Sequence, residues 1–313
     1  MDLNSLKSIS VIGSGLMGSG ISQIFAGHGF KVTTYDVDPG QEQVMRDRIS
    51  SNLSLIWAGE PDKDQRIKDL LDGIAFTIDL KSTAESADFV VECVPENLGL
   101  KQEIFSALDC MCREDVPLAS NTSVMSITEI ASKCKGKHRI IGTHFWNPPF
   151  LLPLVETVRT ENTDDEIIEL TMALLKKVGK RPILVKKDVP GFVANRLQHA
   201  LWREAVSIVE NDIADAQTVD EAIKYSFGLR LPVLAPLENA DMVGTDLTLS
   251  IHEYVLPHLE NSPDPSPYLK KLVENGDLGF KSDKGFMKWS KKEQQELQKK
   301  LINHLLKSVS NED

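Results

Sequence analysis

Up to Val185 the chain alternates short apolar runs with stretches of helical periodicity, and beyond Gly191 only the helical period remains. Ser8 to Ile12, Val32 to Tyr35, Phe89 to Val94, Pro117 to Ser120, Arg139 to Thr143 and Arg181 to Val185 have the length of strands. Phe89-Val90-Val91-Glu92-Cys93-Val94 is apolar on both faces, as in a strand covered by helices on either side of a parallel sheet. Leu16, Ile21, Ile24 and Phe25 share one face of a helix after the first run, and further helices are expected near Leu100 to Cys110 and Ile127 to Ser132. Gln41 to Leu71 is polar and helix-forming, and Gly59-Glu60-Pro61 breaks it into a helix pair or hairpin-like insertion. Thr163 and Glu166 read as a capping box for a helix through Ile167, Leu170, Leu174 and Val178 that ends at Gly179.

Strands alternating with helices predict an α/β architecture built on a doubly wound, Rossmann-type sheet. Strand periodicity stops at Lys186-Lys187-Asp188-Val189-Pro190-Gly191, which divides the chain into a sheet domain, residues 1–188, and an all-α C-terminal domain, residues 189–313. In the second, Val193, Leu197, Ala200, Leu201, Ile208 and Val209 form a long stripe. A helix from Thr218 to Tyr225, capped by Thr218 and Glu221, precedes Gly228. Lys291 to Leu306 carries Leu297, Leu301, Ile302 and Leu305 among lysines and glutamines, a stripe suited to core packing or subunit contact.

A net charge of −11 argues against binding nucleic acid or an anionic membrane surface, because phosphate attraction needs a basic face. Ser8 to Phe30 lacks charge, but its six glycines, serines and glutamine do not suit a lipid-facing helix, and no basic n-region precedes it. A cytoplasmic protein acting on a small molecule is expected. Cys93, Cys110, Cys112 and Cys134 lack paired ligand spacing, so free thiols and no metal are expected.

The first apolar run leads into Gly13-Ser14-Gly15-Leu16-Met17-Gly18, and the second ends in Asp36, 21 residues beyond Gly15. This is the layout of a dinucleotide-binding unit. Gly13 permits the turn, Gly15 lets backbone approach a pyrophosphate, Gly18 lets helix and strand pack closely, and the amides at Leu16 and Met17 open the helix towards phosphate. A carboxylate at Asp36 accepts from ribose hydroxyls and repels a 2′-phosphate, which selects NAD over NADP.

A nicotinamide cofactor moves hydride, so the protein must supply a proton acceptor. His144 ends the run Ile140 to Thr143, at the sheet edge where ligands bind, and Glu156 follows 12 residues later. A loop of that length folding back would set the carboxylate on the imidazole and fix its tautomer. From spacing alone, a hydrogen-bonded core histidine and a solvated glutamate are favoured over the pair.

Seven ordered segments carry a resemblance. They are Val11 to Gly18, Val94-Pro95-Glu96-Asn97, Ser120-Asn121-Thr122-Ser123, His144-Phe145-Trp146-Asn147-Pro148, Pro153-Leu154-Val155-Glu156, Asp188 to Arg196, and Gly279 to Phe286. Together they resemble the 3-hydroxyacyl-CoA dehydrogenase family over nearly the whole chain. The resemblance implies oxidation of a 3-hydroxyacyl-CoA to its 3-keto form. It implies His144 as general base with Glu156 as partner, Ser123 and Asn195 bonding the reacting oxygen or the base, and Asn147 and Glu96 lining the pocket, Glu96 towards the cofactor. It also implies a homodimer through the C-terminal helices. Read as residues without the resemblance, Ser123 and Asn195 are better explained as helix caps and Glu96 as a first-turn acid.

Trp146, Asn147-Pro148-Pro149 and Gly228-Leu229-Arg230-Leu231 look more like relatives that oxidise free hydroxy acids, such as L-gulonate 3-dehydrogenase and carnitine dehydrogenase. Arg230 is suited to gripping a free carboxylate in two-pronged fashion, and a structural salt bridge is its other reading. Basic residues of Gln41 to Leu71, where the resemblance would put a CoA nucleotide, are interleaved with acids. A crystallin-like relative that binds nucleotide without turnover is the remaining alternative.

Overall fold

The computed structural model describes residues 2–310; residue 1 and residues 311–313, the outer ends of the two expected ranges, lie outside it. Eight strands form one sheet: β1 (Ser8–Ile12), β2 (Lys31–Tyr35), β3 (Ile74–Thr77), β4 (Phe89–Glu92), β5 (Leu118–Ser120), β6 (Ile140–Phe145), β7 (Leu154–Val158) and β8 (Arg181–Val185). Their order is β3-β2-β1-β4-β5-β6-β7-β8, and every neighbouring pair is parallel except β6 and β7. The order reverses between β1 and β4, which opens a crevice at their carboxyl ends.

Helices α1 (Leu16–Gly27), α2 (Gln41–Ile56), α3 (Lys63–Asp72), α4 (Leu80–Glu85), α5 (Leu98–Met111), α6 (Ile127–Ile130) and α7 (Asp165–Lys177) connect these strands. Two apolar layers result: one packs α1, α2 and α7 on the sheet through Phe25, Met45, Ile49 and Leu174, the other packs α5 and α6 through Phe105, Leu108 and Ile127. The expected helix pair after Asp36 is α2 and α3.

Five features depart from the sequence expectation. Ile74–Thr77 and Leu80–Glu85 were not expected as strand and helix; both are short, and half of β3 is only partly buried at the sheet edge, so neither has a clear period. Leu154–Val158, which includes the far end of the stretch expected to fold back as a loop, is a strand hydrogen-bonded to β6. Thr163 does not cap α7: its hydroxyl donates to the Ile140 carbonyl at 2.7 Å, and Asp164 holds the N-cap position. Thr218 does not cap the helix Ala216–Lys224 either, because Asp215 does, accepting from the Thr218 amide at 2.7 Å.

Two compact units are present. The first runs to Arg196 and takes in the chain from Asn303 on; the second is Leu197–Ile302. The later helices are α8 (Ala194–Glu210), α9 (Ala216–Lys224), α10 (Pro236–Val243), α11 (Thr245–Val255), α12 (Pro267–Glu274) and α13 (Lys291–Ser310). Within the second unit the buried apolar residues are Val219 and Leu272, while Tyr225, Val233, Leu237 and Tyr254 are each more than three-quarters exposed.

Candidate functional site

Gly13 follows β1 with φ 101°, a backbone state open to glycine, and a Cβ there would lie 2.8 Å from the Cys93 carbonyl oxygen. At Gly18 a Cβ would come within 1.8 Å of the Gly13 carbonyl oxygen, so the turn and α1 pack through the missing side chain. Gly15 caps α1, and a Cβ on it would meet nothing within 4 Å. Leu16 is exposed, Met17 is partly buried against the core, and the first amides of α1 are left open. This turn fits a pyrophosphate.

Asp36 ends β2 and uses Oδ2 to accept from the Ser14 hydroxyl at 2.7 Å and the Ser14 amide at 2.9 Å. Burial alone would raise its carboxyl, but the Ser14 bonds outweigh it and hold the group below its ordinary range. An ionised acceptor thus stands beside the glycine turn, as the ribose of NAD requires.

His144 and Glu156 are cross-strand partners in the antiparallel ladder of β6 and β7, and His144 Nδ1 lies 2.8 Å from Glu156 Oε2. Both are buried. Glu156 Oε1 accepts from the amides of Val193 at 2.9 Å and Ala194 at 3.0 Å, so the same carboxylate caps α8. Burial opposes ionisation, but the bond from His144 and the two amides overcome it and hold Glu156 below the ordinary carboxylate range. An ionised carboxylate only accepts, so the proton sits on Nδ1 and the lone pair on Nε2. Nε2 has no hydrogen-bond partner among the described residues. The ring is flanked by Trp146 and by Phe192, with centroids 5.3 Å and 5.9 Å away. Phe192 holds φ 50°, rare for a bulky residue, in the turn that aims the Val193 and Ala194 amides at Glu156.

Ser123 follows β5 in a loop tied on several sides. Its amide donates to Glu96 Oε1 at 2.7 Å, its carbonyl accepts from Asn195 Nδ2 at 2.9 Å, and the Thr122 hydroxyl donates to Glu96 as well. Asp188 fixes the loop end, accepting from the Ser126 hydroxyl at 2.6 Å and the Thr128 amide at 2.7 Å. The helix-cap readings are set aside: Ser126 caps α6, Asn195 is inside α8, and Glu96 precedes the α5 cap Asn97. Asn147 is exposed in the β6–β7 turn. Arg230 belongs to the second unit, is exposed and has no ion-pair partner among the described residues.

Beneath Glu96 lies a buried ion pair that the sequence reading missed. Lys101 Nζ is 2.8 Å from Glu92 Oε1 and 3.5 Å from Glu96 Oε2, and Ser120 donates to Glu92 Oε2 at 2.7 Å. One signal was available, a lone acid inside the apolar run Phe89 to Val94. Trp146 was singled out only for its likeness to the free-acid relatives and not as a partner of Glu156, and Lys180 was not singled out.

Two family models match: residues 8–189 the 3-hydroxyacyl-CoA dehydrogenase NAD binding domain, and residues 191–289 the C-terminal domain of the same family. A probable 3-hydroxybutyryl-CoA dehydrogenase of Bacillus subtilis is 38% identical over 288 residues, 92% of this chain and 99% of that protein. The solved structure of 5-formyl-3-hydroxy-2-methylpyridine 4-carboxylic acid 5-dehydrogenase, an NAD+ dependent dismutase, superimposes with TM-score 0.88 at 29% identity, covering 98% of this chain and 100% of that one. That of (S)-3-hydroxybutyryl-CoA dehydrogenase from Ralstonia eutropha does so with TM-score 0.76 at 33% identity, covering 92% and 100%.

Proposed function

Since the chain belongs to the 3-hydroxyacyl-CoA dehydrogenase family and is an NAD-dependent oxidoreductase, we propose that it oxidises the hydroxyl of a small substrate bearing a free carboxylate. The observation that carries the chemistry is the His144–Glu156 pair with its unpartnered Nε2. In the proposed reaction Nε2 takes the hydroxyl proton, and Glu156, already ionised, stabilises the imidazolium without moving. NAD, held by the Gly13–Gly18 turn and Asp36, would supply the acceptor for the hydride that leaves the hydroxyl-bearing carbon. Ser123, its backbone pinned by Glu96 and Asn195, has a hydroxyl without a partner among the described residues, which would steady the developing carbonyl oxygen. Asn147 completes the polar lining.

A free acid is favoured over a thioester on three grounds. Arg230 is a guanidinium without a counter-ion among the described residues. Three of the five basic groups of the α2–α3 hairpin are already engaged: Arg46 with Glu42 at 2.9 Å, Arg66 with Glu60 and over the Trp57 ring, and Lys63 beside Asp64. The pyridine carboxylate enzyme also superimposes over the full chain. The second reading, a 3-hydroxyacyl-CoA, is supported by the 38% identical relative.

Initial rates of NADH formation with 3-hydroxybutyryl-CoA and with a panel of free hydroxy acids separate the two, followed by Arg230→Ala. Turnover of free acids that the substitution abolishes supports the carboxylate grip; turnover confined to the thioester overturns it. The exposed apolar side chains of the second unit suit a homodimer, which light scattering tests. Among the described residues no helix is long and apolar enough to cross a membrane, and we propose a cytoplasmic location.

A further inference from the structure

Glu156 Oε2 receives two donors: His144 Nδ1 at 2.8 Å and the indole Nε1 of Trp146 at 3.3 Å. With both Oε1 bonds coming from backbone amides, the indole is the remaining group that fixes the plane of the carboxylate. Trp146 opens the turn between β6 and β7, so its reach depends on where that turn is held.

Lys180, just before β8, holds it. Its side chain is buried, pairs with no carboxylate among the described residues, and gives its Nζ to the carbonyls of Pro149 at 2.6 Å and Leu152 at 3.0 Å. Burying a cation against carbonyls alone is unfavourable, and burial pushes its pKa down to about 8. An apolar residue would fill that space at lower cost; what the ammonium adds is two bonds to the crown of one turn. From the opposite side Pro149 presses on α1, where a Cβ on Gly20 would lie 2.5 Å from its ring.

We infer that Trp146 is a positioning residue for the His144–Glu156 pair and that Lys180 clamps the turn where the indole reaches the carboxylate. The catalytic half of this inference rests on the dehydrogenase reading; the clamp itself does not.

The test labels the four indoles with ¹⁵N and identifies Trp146 by its loss in Trp146→Phe. Its N–H resonance is expected to move in both Glu156→Gln and Lys180→Met while the other three stay, with Lys180→Arg restoring part of the shift. Where Lys180→Met does not fold, Gly20→Ala displaces Pro149 from the other side and is read by the same resonance. Trp146→Phe keeps an aromatic ring and loses the donor, so kcat should fall roughly tenfold, the scale of one hydrogen bond to a charged group, with KM for NAD unchanged. An indole resonance unmoved in a folded Lys180 or Gly20 variant overturns the clamp, and an unchanged kcat in Trp146→Phe overturns the positioning role. A parent enzyme without turnover would count against the dehydrogenase reading, and the resonance would still decide the clamp.

Discussion

His144 and Glu156 stand directly opposite each other in the ladder between β6 and β7, Nδ1 to Oε2 at 2.8 Å. Cross-strand placement ties the pair to sheet geometry, so neither residue depends on a loop closing over the other. Replacing the carboxylate by an amide keeps the shape but gives Nδ1 a partner able to donate, which favours the wrong imidazole tautomer. Glu156→Gln should therefore lower kcat by roughly 10²-fold, within the range of acid–base contributions, and alter its pH profile. Steady-state rates across pH check this.

Acid stability follows from the same carboxylate. Glu156 is held below the usual 4.5 in the folded protein, so its contribution is complete above that value and is lost as pH falls through the folded one. Urea unfolding from pH 6 down to 3 should show a steeper loss for the parent than for Glu156→Gln.

Lys180 acts in the opposite direction. Its pKa falls from 10.5 to about 8 on folding, so between these values the unfolded chain binds more protons and stability rises with pH. The full span corresponds to about 3 kcal/mol. Urea midpoints compared between pH 8 and pH 10 should show this rise in the parent and not in Lys180→Met.

The glycines of the first turn separate fold from binding. Gly18→Ala sets a methyl 1.8 Å from the Gly13 carbonyl oxygen and should lower both Tm and NADH affinity. Gly15→Ala meets nothing within 4 Å and should preserve Tm while weakening NADH binding, because its methyl stands where the pyrophosphate approaches. Thermal melts and fluorescence titration with NADH distinguish the two.

The parallel strands were legible because strands covered on both faces are written as apolar runs, as at Phe89 to Val94. β3 was not, since Ile74-Ala75-Phe76-Thr77 is four residues at an edge. Thr163 misled because its hydroxyl serves a tertiary bond to Ile140 in place of a local cap. The juxtaposition of His144 with Glu156 was open from spacing, but the antiparallel strand that creates it was hidden by Pro148, Pro149 and Pro153. Trp146 and Lys180 leave no local pattern: one meets Glu156 ten residues on, the other meets Pro149 from 31 residues away.

The central claim is that His144 takes the substrate proton. Single-turnover NADH formation by His144→Gln, measured beside NADH affinity, tests it most directly. The account predicts a rate lowered by roughly 10²–10⁴-fold with NADH binding nearly intact. A variant that turns over at the parental rate would contradict it.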